Sequence, residues 1–146
     1  MKAQSANPLE DQLKLWDLTV FNYLIGNTDN HLKNASLLYD STLSTLRLAP
    51  AYDVVSTTVY SGSTRRLSMR LGDATTLDAV SEDSFRKAAH EIGIGEKLAM
   101  KRLAAMVETF EAVLNATAEE LAAQGFSNAM QLRDQIFLTG GYQRLG

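Results

Sequence analysis

Between Asn7-Pro8 and Gly26 the apolar residues Leu9, Leu13, Trp16, Val20 and Leu24 recur three or four positions apart, with Phe21 and Ile25 beside them. That spacing predicts an amphipathic helix, and its limits are written in the flanking residues. Asn7 suits the N-cap, Pro8 the first turn, and Glu10 and Asp11 the positive end of the helix dipole. Gly26 suits the left-handed exit. A stripe this apolar has to be covered by the rest of the chain. At 146 residues, 45% hydrophobic and 21% charged, there is enough chain to do so in one globular domain.

Beyond the helix the elements become shorter and more polar. NTDNHLKN, residues 27–34, leaves it as a loop. ASLLY and TLRLAP, separated by DSTLS, predict a β-hairpin closed by Pro50, and AYDVVSTTVY comes next as an extended segment rich in β-branched residues. RRLSMRLG predicts a further short strand ending at Gly72 and Asp73, with Met69 in a stripe that covers the core. From Ser81 the pattern turns helical. SEDSFRKAAHEIG has a serine cap and stops at Gly93. GEKLAMKRLAAMVETFEAVLNATAEELAAQG predicts one long helix, or two meeting near Asn115 and Thr117, with Leu98, Leu103, Met106, Val107, Phe110, Val113 and Leu114 as its apolar positions. SNAMQLRDQIFLTGG adds a last helix, capped by Ser127 and stopped by Gly140 and Gly141. The expected fold is mainly α with a small β-hairpin region. Residues 8–80 carry the first helix, the loop and the strands, and residues 81–146 form a helical bundle.

Composition narrows the function. A net charge of −3 with a pI near 5.3 argues against gripping nucleic-acid phosphates directly. Arg65, Arg66 and Arg70 are a local exception, readable as a solvated strand or loop or as a local basic patch. With no cysteine there is no thiol chemistry, disulfide or Cys-based zinc site. His31 and His90 are too far apart to suggest a His-based metal site. No apolar run approaches the ~20 residues of a membrane span, and MKAQSANPLEDQ lacks a signal-peptide core. A cytoplasmic protein is expected.

The loop holds the chemistry. Phosphoryl transfer asks for a carboxylate to orient the attacking hydroxyl and accept its proton, and for oxygen ligands to Mg²⁺. In protein kinases these are an Asp, then four residues and an Asn on one loop, with a second Asp beyond a hairpin. Here Asp29 precedes Asn34 at that spacing, ASLLY and TLRLAP supply the hairpin, and Asp53 lies beyond it. A bare D-x-x-x-x-N equally describes an Asx-rich turn capping its own backbone. The surrounding helix, hairpin and second acid make the compound pattern specific.

FNYLIGNTDNHLKN, with LAPAYDVVS and then RRLSMRLG, resembles the C-terminal kinase lobe of HipA-type serine/threonine kinases, the toxins of bacterial toxin–antitoxin pairs. The similarity runs from about Pro8 to the end and is strongest between Phe21 and Leu71. It implies a protein-kinase-like C-terminal lobe in which Asp29 is the catalytic base and Asn34 and Asp53 hold Mg²⁺ beside ATP as co-substrate. His31 falls where other kinases place a lysine, and reads as a phosphate-side group or as a helper that shapes the loop. Lys33 reads equally as a phosphate-neutralising or a solvated lysine. Asn27 and Asn30 read as loop-shaping, and Tyr52 as packed.

The partners implied are an N-terminal kinase lobe, a HipB-like antitoxin, and a protein substrate of the kind found in the translation machinery. No G-x-G-x-x-G precedes NTDNH and no strand lysine with a helix glutamate partner is recognisable, so the N-terminal lobe is expected elsewhere, on the same or another chain. The isolated lobe is expected to be inactive. A helical module that docks an antitoxin or partner lobe, and a fragment of a small-molecule phosphotransferase, are the competing readings.

Overall fold

The computed structural model describes residues 7–28, 37–39, 46–48, 56–59, 62 and 64–145. Helix α1 spans Pro8–Ile25. Its start is the expected one, with Asn7 Oδ1 accepting the Glu10 amide at 3.3 Å and Pro8 in the first turn. Its end is a Schellman closure. Gly26, at φ 78°, donates to Tyr23 O, and the Asn27 amide reaches back to Asn22 O at 2.8 Å.

Strands β1 (Leu37–Tyr39) and β2 (Leu46–Leu48) pair antiparallel, Leu37 opposite Leu48, in agreement with the expected hairpin. Strand β3 (Arg66–Leu71) pairs antiparallel with β4 (Ala74–Thr76) in a separate two-stranded sheet. The sequence pattern ended β3 at Gly72-Asp73 and did not continue it into β4. Those two residues are the hairpin loop itself. A 3₁₀ turn, Leu77–Ala79, then leads into α2 (Glu82–Ile92). There Ser81 Oγ accepts the Ser84 amide while Ser84 Oγ accepts that of Ser81, a reciprocal cap.

Helix α3 (Glu96–Ala123) is one continuous helix of 28 residues. Asn115 and Thr117 do not break it, because Thr117 Oγ1 bonds back to Val113 O at 2.8 Å and neither Gly nor Pro interrupts the segment. Helix α4 (Ala129–Thr139) starts after Asn128 with no side-chain cap, so Ser127 is not its cap. A short α5 (Tyr142–Leu145) comes after Gly140-Gly141.

The core forms where α1 meets α2 and α3. Trp16, Val20, Leu24, Leu77, Phe85, Ala89 and Ala99 are fully buried. Phe85 presents its ring edge-on to Trp16 (centroids 6.0 Å apart) and to Tyr23 (5.2 Å). Burying Trp16 also buries its indole N–H, which donates to Ala99 O at 2.9 Å and so avoids an unpaired donor. Gln12 Nε2 does the same service for Ile92 O at the end of α2. Asp17 and Arg102 pair at the edge of the contact between α1 and α3. A second aromatic group, Phe110 with Phe137 and Tyr142, fastens α4 and α5 to α3. Of the expected apolar stripe of α3, Leu103 and Phe110 are buried, together with Ala99 and Ala118, whereas Leu98 and Val113 are exposed. Among the described residues no helix is long and apolar enough to cross a membrane.

Candidate functional site

Asp29, His31, Lys33, Asn34 and Asp53 lie outside the described residues, as do Asn30, Ser36 and Tyr52. The described residues supply the frame on which that stretch is mounted. It begins at the exit of α1, where Asn22, Asn27 and Thr28 are all buried. Asn27 Nδ2 donates to Asn22 Oδ1 at 2.7 Å, and Asn22 Nδ2 donates to Leu18 O at 2.9 Å. Asn27 shapes the loop's root, as its sequence position suggested.

The frame then closes on itself. Gly26 O accepts the amides of Thr57 (3.0 Å) and Thr58 (3.1 Å) and the Thr57 hydroxyl (3.0 Å). With its proton committed to Gly26 O, Thr57 Oγ1 serves as acceptor for the Thr28 amide (2.9 Å) and the Thr28 hydroxyl (2.7 Å). Thr28 Oγ1 also lies 3.2 Å from Thr64 O, but its single proton favours the shorter contact. Thr28 O accepts the Ser68 amide of β3 at 2.9 Å. Thr28, the residue before Asp29, is thus tied to Thr57, which comes after Asp53 in sequence, and to strand β3. Thr57–Val59 bend and turn here and do not form the extended segment expected of AYDVVSTTVY, because the Thr57 and Thr58 amides are spent on Gly26 O and not on a strand. The Ser56 hydroxyl is buried beside this turn. Neither Thr28 nor Thr57 was singled out by sequence. A threonine before the loop and one after it carry no periodic signal, and only the fold pairs them.

The three arginines do not make a shared basic grip. Arg65 holds Asp78 through both carboxylate oxygens (2.6 and 2.8 Å) and donates to Thr139 O at 2.9 Å. Arg70 pairs with Glu91 at 2.8 Å and contacts Gly72 O. Arg66 is exposed. On the same strand Leu71 is buried and Leu67 packs at the core's edge, whereas Met69 is 41% exposed, so the expected apolar stripe covers the core only in part.

Hydrogen bonding from Arg65 holds the Asp78 carboxyl below its ordinary value. A depressed carboxylate contributes stability above its unfolded-state pKa of about 4 and loses it as pH falls through the folded value. Asp78→Asn is therefore expected to lower stability at neutral pH and to shrink the difference from wild type below pH 4, read by denaturant titration at both ends. The pair is half-exposed, so solvent keeps the effect below about 1 kcal/mol. An unchanged gap between the two proteins across that range would mean that the ion pair contributes nothing.

Comparison with known proteins fits this frame. The profile of the HipA-like C-terminal domain matches residues 1–114. The chain is 39% identical over 114 residues to a Sinorhizobium fredii protein named "Putative kinase Y4mE", covering 77% of this chain and 27% of that protein. It is 32% identical over 95 residues to the serine/threonine-protein kinase toxin HipA of Shewanella oneidensis, covering 65% of this chain and 21% of the toxin. Its fold superposes, with a TM-score of 0.78 and 22% identity, on a chain from the Shewanella oneidensis MR-1 complex of HipA, HipB and operator DNA, over 97% of this chain and 33% of that one. The chain spans less than a third of the length of the curated relatives it matches.

Proposed function

Because the chain belongs to the HipA-like C-terminal domain family, we propose that it is the catalytic lobe of a protein serine/threonine kinase of the toxin type, transferring the γ-phosphoryl group of ATP to a protein hydroxyl. One observation carries the reading: the threonine pair that closes the frame. Covalent geometry does the rest. Asp29 is bonded directly to Thr28, and Asp53 precedes Thr57 by four residues, so its Cα lies within about 14 Å of that of Thr57. Leu37 opposite Leu48 puts the start of β1 and the end of β2 at one end of the hairpin, and in sequence Asn34 precedes that start by three residues and Asp53 follows that end by five. A frame closed in this way favours a shared site for Asp29, Asn34 and Asp53.

The donor set also suits the ion. Asn34 and Asp53 offer a carbonyl and a carboxylate, hard oxygens of the type Mg²⁺ takes alongside water and phosphate. When bound, Mg²⁺ neutralises charge on the phosphate oxygens. In the proposed step the Asp29 carboxylate accepts the proton of the substrate hydroxyl. The hydroxyl oxygen bonds to the γ-phosphorus, and the bond from that phosphorus to the β–γ bridging oxygen breaks, leaving ADP. Lys33 neutralises phosphate charge, and His31 steadies the loop by hydrogen bonding. The phosphate-covering loop and its lysine belong to the N-terminal lobe, which this chain needs as a partner. A HipB-like antitoxin is the further partner suggested by the complex in which the structural relative was solved.

The reading is tested by assaying the chain together with its N-terminal lobe for phosphate transfer from labelled ATP to protein. Transfer to serine or threonine is expected, abolished by a chelator and restored by Mg²⁺. Nucleotide bound with no transfer to any protein would favour the other reading, a docking module. Its support is the set of exposed apolar side chains on and between α3 and α4, namely Val113, Leu121, Phe126, Leu132 and Leu138.

A further inference from the structure

The frame of the loop is braced from a part of the chain that the family profile does not reach. The profile stops at residue 114, yet Thr139, Gly140 and Gly141, at the end of α4, press directly on the exit of α1. The Gly141 amide donates to Tyr23 O at 3.0 Å. A Cβ on Gly140 would stand 2.4 Å from Leu24 O, and one on Gly141 would stand 2.5 Å from the ring of Tyr23. A Cβ on Gly26 would meet Gly140 Cα at 3.1 Å. These are close approaches of backbone that only glycine permits.

One side-chain bond runs from this corner into the loop frame. Thr139 Oγ1 donates to Gln135 O at 2.7 Å, which leaves its lone pairs for the Thr58 hydroxyl, 3.0 Å away. Thr58 is buried, and its amide is one of those held by Gly26 O. Removing the acceptor at Thr139 leaves a buried hydroxyl proton without its partner, beside the turn that closes the frame. Arg65 fixes the same residue from the other side through Thr139 O.

We propose that Thr139 is a positioning residue for phosphoryl transfer: its hydroxyl holds Thr58, and through Thr58 the Thr57–Gly26–Thr28 closure on which the Asp29 loop is mounted. The proposal rests on the kinase reading given above. Its effect falls on the geometry of reacting groups, where a displacement near 1 Å can cost as much as about 10²-fold in rate. Thr139 is not itself a member of the proposed base and metal-ligand set, so the loss is expected in kcat and not in KM for the protein substrate.

The test uses the protein with its N-terminal lobe. Thr139→Val, which keeps the volume and removes the hydroxyl, is expected to lower kcat by on the order of tenfold with KM for the protein substrate unchanged. Thr139→Ser is expected to keep the wild-type kcat. In Thr139→Val, amide hydrogen exchange at Thr57 and Thr58 is expected to quicken about tenfold while the amides around Trp16 stay protected, a local opening and not a global one. A Thr139→Val kcat within twofold of wild type would overturn the proposal, as would a Thr139→Ser variant equally impaired, or faster exchange throughout α1. Should Thr139→Val not fold, Thr58→Val removes the donor of the same bond and must give the same drop in kcat. If the wild-type protein with both lobes transfers no phosphate to protein, the kinase reading fails, and exchange at Thr57 and Thr58 still decides whether the brace exists.

Discussion

Replacing Asp29 with Ala in the protein that carries both kinase lobes is expected to lower kcat for protein phosphorylation by about 10²–10⁴-fold, the usual size of general-base help. The magnitude comes from the role. Once the attacking hydroxyl lacks a carboxylate, it must lose its proton to water from an orientation nothing enforces. Asn34→Ala and Asp53→Ala should differ from this in kind. A weakened metal site is rescued in part by raising Mg²⁺, so their defects should shrink across a Mg²⁺ titration, whereas the Asp29→Ala defect should not. Steady-state kinetics at saturating ATP separate the two behaviours. Retention of activity within a few-fold in Asp29→Ala would remove the base from this position. Equal insensitivity to Mg²⁺ in all three variants would remove the metal from Asn34 and Asp53. The chain's membership of the HipA-like C-terminal domain family would survive either result, because it rests on the match over residues 1–114 and not on these side chains.

Local signals were legible where one residue type does one job. Asn7, Pro8 and Gly26 mark the ends of α1 to the residue, and Ser81 and Gly93 mark those of α2, because capping and left-handed exits are chemistry of the immediate neighbours. The β1–β2 pairing was legible from two apolar runs around a polar turn. Strand β4 was missed although Gly72-Asp73 between RLSMRL and ATT is a hairpin loop signal, since a strand of three residues offers too little alternation to register. Long-range hydroxyl pairs are a harder case. Thr28 and Thr57 stand 29 residues apart, and Thr58 and Thr139 stand 81 apart. A threonine in a turn looks the same in sequence whether it faces water or another threonine, so the frame and its brace became visible only with the fold. The arginines show the same limit from the other side. Arg65, Arg66 and Arg70 look like one patch in a row of letters, but strand geometry and partners spread over α2, α4 and the 3₁₀ turn divide them.

Gly26→Ala is expected to cost about 2–5 kcal/mol of stability. Two independent penalties meet there. At φ 78° an alanine sits in the left-handed region, at a cost of roughly 1–2 kcal/mol. Its Cβ would also stand 2.1 Å from Thr58 Oγ1 and 3.1 Å from Gly140 Cα. The first neighbour is a hydroxyl already engaged with Thr139, and the second is backbone, so neither can yield without opening the frame. Gly125→Ala separates the penalties. Gly125 has φ +103° but nothing within 4 Å of its missing Cβ, so alanine there incurs the conformational penalty alone. Denaturant midpoints for the two variants at unchanged m-value give the difference directly. A gap of about 1–3 kcal/mol, the range for overpacking a tight site, is expected between them. If Gly26→Ala proves no worse than Gly125→Ala, the contact among Gly26, Thr58 and Gly140 is loose. The closure could not then hold the ends of the loop in register, and the shared site for Asp29, Asn34 and Asp53 would lose its support.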